Sequence, residues 1–289
     1  MSDRRTIETP SGRIAYVDRG DGPTALFVHG VFLNADLWDG VVDGVSDVRR
    51  CIAPDILCHG QTRERADADV SFAGQAEMLL QLVDALDLRQ VDLVANDSGG
   101  AIAQIFVARY PERVRTLLLT NCDVEPDSPP PKVKPVIEMA RAGTLGDATA
   151  QWLTDKAMAR STLGAAVYRD PNGFADETIE YYVTPLVSSP LRRAQYHAFH
   201  IALEPNPLAG IEAALKRSAV PVRIVWGASD DIFAQEDAEY LNRTFPQSRG
   251  IRRVPGAKLF FQEEFPDVIA EEARLLWGIA CARVRPEGE

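Results

Sequence analysis

Val91-Asp-Leu-Val-Ala-Asn-Asp-Ser-Gly-Gly-Ala-Ile-Ala-Gln104 reads as a buried strand, a sharp turn and the start of a helix. Val91, Leu93, Val94 and Ala95 supply the strand, Gly99 and Gly100 permit close backbone packing, and Ala101 to Tyr110 has helical spacing. A strand-turn-helix of this kind is a nucleophile elbow, whose pattern is small-x-nucleophile-x-Gly. Aligned on the strand end and the glycine pair, the pattern falls on Ala95-Asn96-Asp97-Ser98-Gly99 and puts Asp97 in the nucleophile slot. Two other readings stand beside it. Starting the turn one residue later would select Ser98, and Asp97 could simply cap the helix that follows.

Outward from the elbow, strand and helix alternate. Thr6 to Arg19 predicts a hairpin turning at Pro10-Ser11-Gly12, Ala25 to Gly30 an interior strand, Asp36 to Val45 a helix and Arg50 to Ile56 a further strand. Phe72, Met78, Leu79, Leu82 and Leu86 give Ser71 to Leu88 an amphipathic helical spacing. Beyond the elbow, Arg115 to Asn121 reads as a strand, and Asp123 to Lys132 contains four prolines that announce a change of subdomain. Residues 124–216 show helical patches without a comparable strand. Alternation then resumes with a strand at Val220 to Gly227, a helix near Gln235 to Arg243, a strand near Ile251 to Val254 and a final helix from Asp267 to Ala282. The expected fold class is therefore α/β, a mostly parallel sheet flanked by helices, with core segments 1–123 and 217–289 and a helical cap at 124–216 over the sheet's C-terminal edge. Ligands of such sheets bind at that edge.

At 289 residues the chain suits one α/β domain with an insertion. A net charge of -11 argues against nucleic acid or an anionic membrane as partner. No signal-like segment or run of about 18 apolar residues is present, so a cytoplasmic location is expected. Cys51, Cys58, Cys122 and Cys281 lie far apart, which makes reduced core thiols the expectation and a zinc site an unlikely one. Neither a metal nor a cofactor is expected. The expected partner is a small-molecule substrate, with the chain a monomer or homodimer.

Six segments in order resemble the α/β-hydrolase superfamily over nearly the whole chain. They are Phe27-Val-His-Gly30 with Trp38, Pro54-Asp55 with His59-Gly-Gln-Thr62, the elbow, Tyr110-Pro-Glu-Arg-Val114, Trp226-Gly-Ala-Ser-Asp230, and Val254-Pro-Gly-Ala257 with Gln262-Glu-Glu264. With Asp at the elbow, the chain is similar to the branch containing haloalkane dehalogenases and epoxide hydrolases, where that carboxylate attacks carbon and forms an ester. The resemblance implies Asp230 as the catalytic acid, with the N–H groups of Val31 and Ser98 as the oxyanion hole. It also implies structural roles for His29 and His59. Where dehalogenases hold halide this chain has Ser98 and Val31, which argues against dehalogenation. Epoxide hydrolases use two cap tyrosines, for which Tyr168, Tyr181, Tyr182 and Tyr196 are available; Phe32 stands where their His-Gly-x-Pro motif has proline. Asn121 stands where some dehalogenases carry an alternative acid, a role an amide cannot fill.

The chief departure is at the base. Members of the superfamily usually read Pro-Gly-x-Gly-His-Phe before the final helix, and here the run is Pro255-Gly-Ala-Lys-Leu-Phe260, with Leu259 in the histidine slot. A water-activating base contributes roughly 100- to 10,000-fold, so an alkyl-enzyme ester should accumulate unless another group serves. Tyr196, His197 and His200 on one cap helix are candidates for an acid or base. Alternatively, Asp97 with a raised pKa acts as general acid or base in a lyase, cyclase or isomerase, or the protein binds a ligand without turnover. Phe174, Tyr181, Tyr182, Val187 and Phe199 are candidates to line an apolar cap pocket.

Overall fold

A computed structural model describes residues 4–279. Among the described residues nine strands form one sheet: β1 Arg4–Thr9, β2 Gly12–Arg19, β3 Thr24–Val28, β4 Arg50–Pro54, β5 Arg63–Glu64, β6 Val91–Ala95, β7 Val114–Thr120, β8 Val222–Gly227 and β9 Ser248–Val254. Their order is β1-β2-β4-β3-β6-β7-β8-β9, with the short β5 paired to β2. β1 and β2 form the expected hairpin, and β2 lies antiparallel to β4. From β4 to β9 every neighbour is parallel. All five residues of β3 and all five of β6 are buried. An interior parallel strand covered on both faces has no solvent side, so it reads as a continuous apolar run instead of alternating.

Helix Phe72–Ala85 starts where the Ser71 hydroxyl accepts the Gly74 N–H, and it buries Phe72, Met78, Leu79 and Leu82. Helix Asp97–Arg109 is buried along nearly its whole length, from Asp97 through Val107. Between β7 and β8 the chain forms helices, chief among them Lys134–Arg141, Asp176–Val187 and Pro190–Ile201, and one isolated bridge between Val124 and Asp127. The proline tract does more than interrupt: Pro131 opens a 3-10 turn that runs directly into helix Lys134–Arg141. A missing N–H is harmless in a first helical turn.

Three expectations need adjustment. The segment 36–45 is a 3-10 turn, Ala35–Trp38, followed by a short helix, Asp39–Asp43. β9 begins earlier than its apolar residues suggested, because its pairing to β8 rather than its burial defines it. The last helix is Pro266–Leu276; the remainder of the expected 267–282 helix lies partly outside the described residues. Cys51, Cys58 and Cys122 are free and buried, whereas Cys281 also lies outside the described residues. Among the described residues no helix is long and apolar enough to cross a membrane, and no His, Cys, Asp or Glu cluster is arranged to hold a metal.

The helical insert is tied to the sheet by buried polar contacts. Arg192 pairs with Glu64 at 2.6 and 2.8 Å and donates to the carbonyls of Gly60 at 3.1 Å and Thr62 at 2.8 Å. On the other side Glu263 accepts the hydroxyls of Tyr168, at 2.5 Å, and Tyr182.

Candidate active site

β6 ends at Ala95 and helix Asp97–Arg109 begins two residues later, so the chain must reverse within a single residue. Asp97 makes that reversal, with a φ of 54°. This left-handed conformation is strained for a side-chain-bearing residue and is held only where surrounding structure enforces it. Here the Asp97 N–H donates to the Asn121 carbonyl at 2.7 Å, and Gly100 N–H donates to Asn96 O at 3.0 Å. A Cβ on Gly99 would stand 2.4 Å from the His29 carbonyl oxygen, which explains the glycine. The turn falls on Asp97 and not on Ser98, and it turns the carboxyl up from the strand end.

The Asp97 carboxyl meets the loop after β3. Its Oδ2 accepts the Val31 N–H at 3.0 Å, and the Ser98 N–H also favours its charged form. Gly30 is needed for this approach, since a Cβ there would lie 2.1 Å from Oδ2. His29 holds the loop from behind: its Nδ1–H donates to Gly30 O at 2.7 Å and its Nε2 accepts the Ile56 N–H at 3.1 Å.

Above Asp97 lies a cavity of about 650 Å³ between the sheet edge and the insert. Its wall is mostly apolar, including Phe32, Trp152, Leu163, Phe199, Phe233 and Leu259. The polar residues reaching it are few: Asp97, Ser98, Asp123 and His200 are buried, while Thr162, Lys132 and Asp231 are exposed, the last two pairing with each other at 2.8 Å. The Ser98 hydroxyl and His200 Nε2 are buried without a hydrogen-bond partner. His200 Nδ1–H donates to the Tyr196 carbonyl at 2.9 Å, which leaves the lone pair on Nε2. Burial pushes this imidazole down to about 4, so it is neutral.

A family model described as the alpha/beta hydrolase fold matches residues 23–265. The chain belongs to this family. This α/β-hydrolase is 28% identical over 279 residues to a haloalkane dehalogenase of Mesorhizobium japonicum, covering 92% of this chain and 88% of that one. It is 28% identical over 246 residues to a cis-3-alkyl-4-alkyloxetan-2-one decarboxylase of Shewanella oneidensis, covering 80% and 74%. Among solved structures, a DbjA mutant superposes with a TM-score of 0.78 at 26% identity, covering 95% of this chain and 98% of that one. The fold is shared with the epoxide hydrolase CorEH at a TM-score of 0.76 and 20% identity, over 95% and 98% of the two chains. It is thus a hydrolase-type enzyme related to haloalkane dehalogenases.

In this hydrolase Leu259 is buried in the cavity wall, and its carbonyl accepts the Asn96 side-chain amide at 3.3 Å. Asp230 lies on the loop after β8, one residue before the cavity-lining Asp231. Its carboxyl is engaged by Asn121 Nδ2 at 2.7 Å and Ile232 N–H at 2.9 Å. Asn121 thus links Asp230 to the elbow, since its carbonyl receives the Asp97 N–H.

The cap candidates separate. His200 lines the cavity, whereas His197 Nε2 accepts the Gly146 N–H at 2.9 Å and Tyr196 contacts Thr149 at 3.3 Å, both outside the lining. Of the proposed pocket residues only Phe199 lines the cavity; Phe174, Tyr181, Tyr182 and Val187 do not. None of the available tyrosines Tyr168, Tyr181, Tyr182 and Tyr196 lines the cavity, and Tyr168 and Tyr182 are engaged by Glu263. Asp123 also lines the cavity, although its place at the head of the proline tract gives no local sign of it.

The buried acids predict a pH dependence. Burial pushes Asp123 and Asp237 up to about 7 and Asp230 up to about 6. Asp97 is held well above the ordinary carboxylate range by burial and by the facing Asp123. Such groups bind protons more tightly when folded, so their stabilisation is complete at acid pH and is lost as pH rises through the folded values. His29 and His200, lowered to about 4, act oppositely, but their effect is complete above about 6.5. Unfolding free energy from urea melts is therefore expected to fall between about pH 6.5 and 8, and to fall less in Asp123→Asn. An equal slope in the two proteins would contradict the burial of a titrating Asp123.

Proposed function

We propose that this enzyme opens an apolar, medium-sized organic electrophile through an aspartyl ester, Asp97 attacking carbon and water releasing the product. The observation that carries this reading is the position of Asp97 Oδ2 on the Val31 N–H at 3.0 Å. A carboxylate acting only as acid or base would leave the oxyanion donors free for the substrate's oxygen. Here they hold the nucleophile's own oxygen, which gains negative charge when water attacks the ester carbonyl. Donors aimed at developing charge are among the strongest contributors to such steps. The other carboxyl oxygen is left to attack.

Val31 and Ser98 supply the oxyanion hole in this reading. Asp230 has no imidazole to orient and instead fixes Asn121, and through it the elbow. His200 Nε2 accepts a proton-bearing group of the substrate, and residues 124–216 act as a cap that selects for apolar shape, flanked by core segments 1–123 and 217–289. The relatives' names, haloalkane dehalogenase and alkyl-oxetanone decarboxylase, support an alkyl-bearing electrophile.

Leu259 favours one second reading, a reaction that needs no activated water, such as an elimination or acid-base step at Asp97. Turnover of hexene oxide in water carrying heavy oxygen separates the two. Ester hydrolysis places the label in the peptide containing Asp97, because water attacks its carboxyl carbon. Label found only in the product would defeat the nucleophile reading.

A further inference from the structure

A proton must be given to the leaving group when the Asp97 ester forms and taken from water when it breaks, and the usual group for the second task is replaced by Leu259. The cavity offers few alternatives. The neutral His200 has its one N–H committed to the Tyr196 carbonyl, so its free nitrogen has no proton to give, and burial holds the imidazole down at about 4, which makes that nitrogen a weak base toward water. None of the described tyrosines lines the wall. Lys132 and Asp231 neutralise each other and are more than half exposed.

Asp123 is different. It follows β7 by three residues, and β7 is the immediate neighbour of β6, so its backbone lies beside the elbow. Gln104, on the elbow helix, donates to the Asp123 carbonyl at 2.8 Å, and the Asp97 N–H is bonded two residues upstream at Asn121. The Asp123 side chain is 3% exposed, lines the same cavity as Asp97, and accepts the Ser128 hydroxyl at 2.9 Å.

Resting on the reading of Asp97 as nucleophile, we propose that Asp123 is the second catalytic carboxyl: the acid for ester formation and the base for ester hydrolysis. Two carboxyls buried together do not both ionise readily, so the pair shares a proton near neutrality. The Val31 and Ser98 N–H groups favour the charge on Asp97, and the Ser128 hydroxyl and a backbone N–H favour it on Asp123, so the proton can sit on either carboxyl and the reacting state is the one with the proton on Asp123. Burial and the charge of Asp127 favour protonation of Asp123, and Asp123 in turn raises Asp97 and Asp237.

The steps balance. Asp97 carboxylate forms a bond to the substrate carbon as the bond from that carbon to the leaving oxygen breaks, and Asp123 transfers its proton to that oxygen. Asp123, now a carboxylate, takes a proton from water as the hydroxide adds to the Asp97 carboxyl carbon. Collapse expels the product alkoxide, which takes the proton of the newly formed Asp97 carboxylic acid. Asp97 is again a carboxylate and Asp123 again an acid, and no further reactant is needed. The same exchange of roles runs in retaining glycosidases, where one carboxyl serves as acid and then base.

The test uses two probes: hexyl iodide, whose leaving iodide needs no proton, and hexene oxide, whose leaving alkoxide does. Wild type, Asp97→Asn, Asp123→Asn and Asp123→Glu are followed by intact mass and peptide mapping. In Asp123→Asn, hexyl iodide is expected to alkylate Asp97 at an undiminished rate. In wild type this alkylation leaves the proton on Asp123, which passes to solvent once Asp97 is an uncharged ester, and with that carboxylate as base the wild-type ester should be shorter-lived than that of the variant by at least about 100-fold. Hexene oxide should alkylate Asp123→Asn more slowly by a similar factor, and Asp123→Glu should recover part of both steps. Equal ester lifetimes in wild type and Asp123→Asn would overturn the role of Asp123 while leaving Asp97 as nucleophile. So would loss of alkylation by hexyl iodide in an Asp123→Asn protein that melts like wild type. No added mass on Asp97 and no turnover of either probe by wild type would overturn both readings together.

Discussion

Asp97→Asn is expected to lower kcat/KM for any ester-forming substrate by about 10,000-fold or more, with little loss of stability. The amide has nearly the same shape, so it keeps the elbow's φ of 54° and the bond from its backbone N–H to Asn121. It also removes a carboxyl whose burial is costly, so urea melts should show the variant equal to wild type or more stable near neutral pH. What is lost is the attacking oxygen: an amide is a poor nucleophile and cannot form the ester. Substrate affinity, read by equilibrium binding, should change little, because the cavity is chiefly apolar and remains intact. A variant retaining a tenth of wild-type activity would show that the chemistry does not pass through this carboxyl.

Arg192→Met is the change with the largest expected effect on stability, roughly 3–5 kcal/mol by urea denaturation. Arg192 and Glu64 side chains are only 8% and 1% exposed, and the pair joins the insert to the sheet. Removing the guanidinium leaves a buried carboxylate without its cation and strands the Gly60 and Thr62 carbonyls that it also satisfied. The effect should reach the cavity, because helix Pro190–Ile201 carries Arg192 at one end and the lining residues Phe199 and His200 at the other. KM is thus expected to rise with the loss of stability. Replacing Glu64 by Leu in the same protein should recover part of the loss, since the stranded charge is then gone. Additive losses in the double variant would show that the two side chains do not depend on each other.

Much of the sheet was legible in sequence because its strands are short, apolar and bounded by turn residues. β3 and β6 were found by their unbroken apolar runs, which follow from burial on both faces. The elbow was legible for a related reason: a carboxylate between a strand and two glycines has few structural settings. Leu259 could be placed because the segments around it keep their order. β5, two residues long, carried no periodic signal at all.

The site was less legible. His197 and His200 are three residues apart on one helix, a separation of about 300° around its axis, so they lie close together without facing the same way. Packing decides between them, turning His200 into the cavity and His197 toward Gly146. Tyr168 and Tyr182 looked available until the fold brought Glu263 to both hydroxyls. Asp123 sits among prolines just beyond β7, where no repeating pattern states which way a side chain points.

The sequence by itself determined the α/β-hydrolase fold, the Asp at the elbow and the absence of histidine from its usual place, because these follow from local patterning and from residue identity along the chain. Only the tertiary structure decided which polar groups share a space. The pairing of β7 beside β6 sets Asp123 near Asp97, and the insert packed over the sheet edge leaves both nearly buried on one cavity wall. Proximity between residues far apart in sequence, and the pKa values that follow from shared burial, are properties of packing and have no local pattern to announce them.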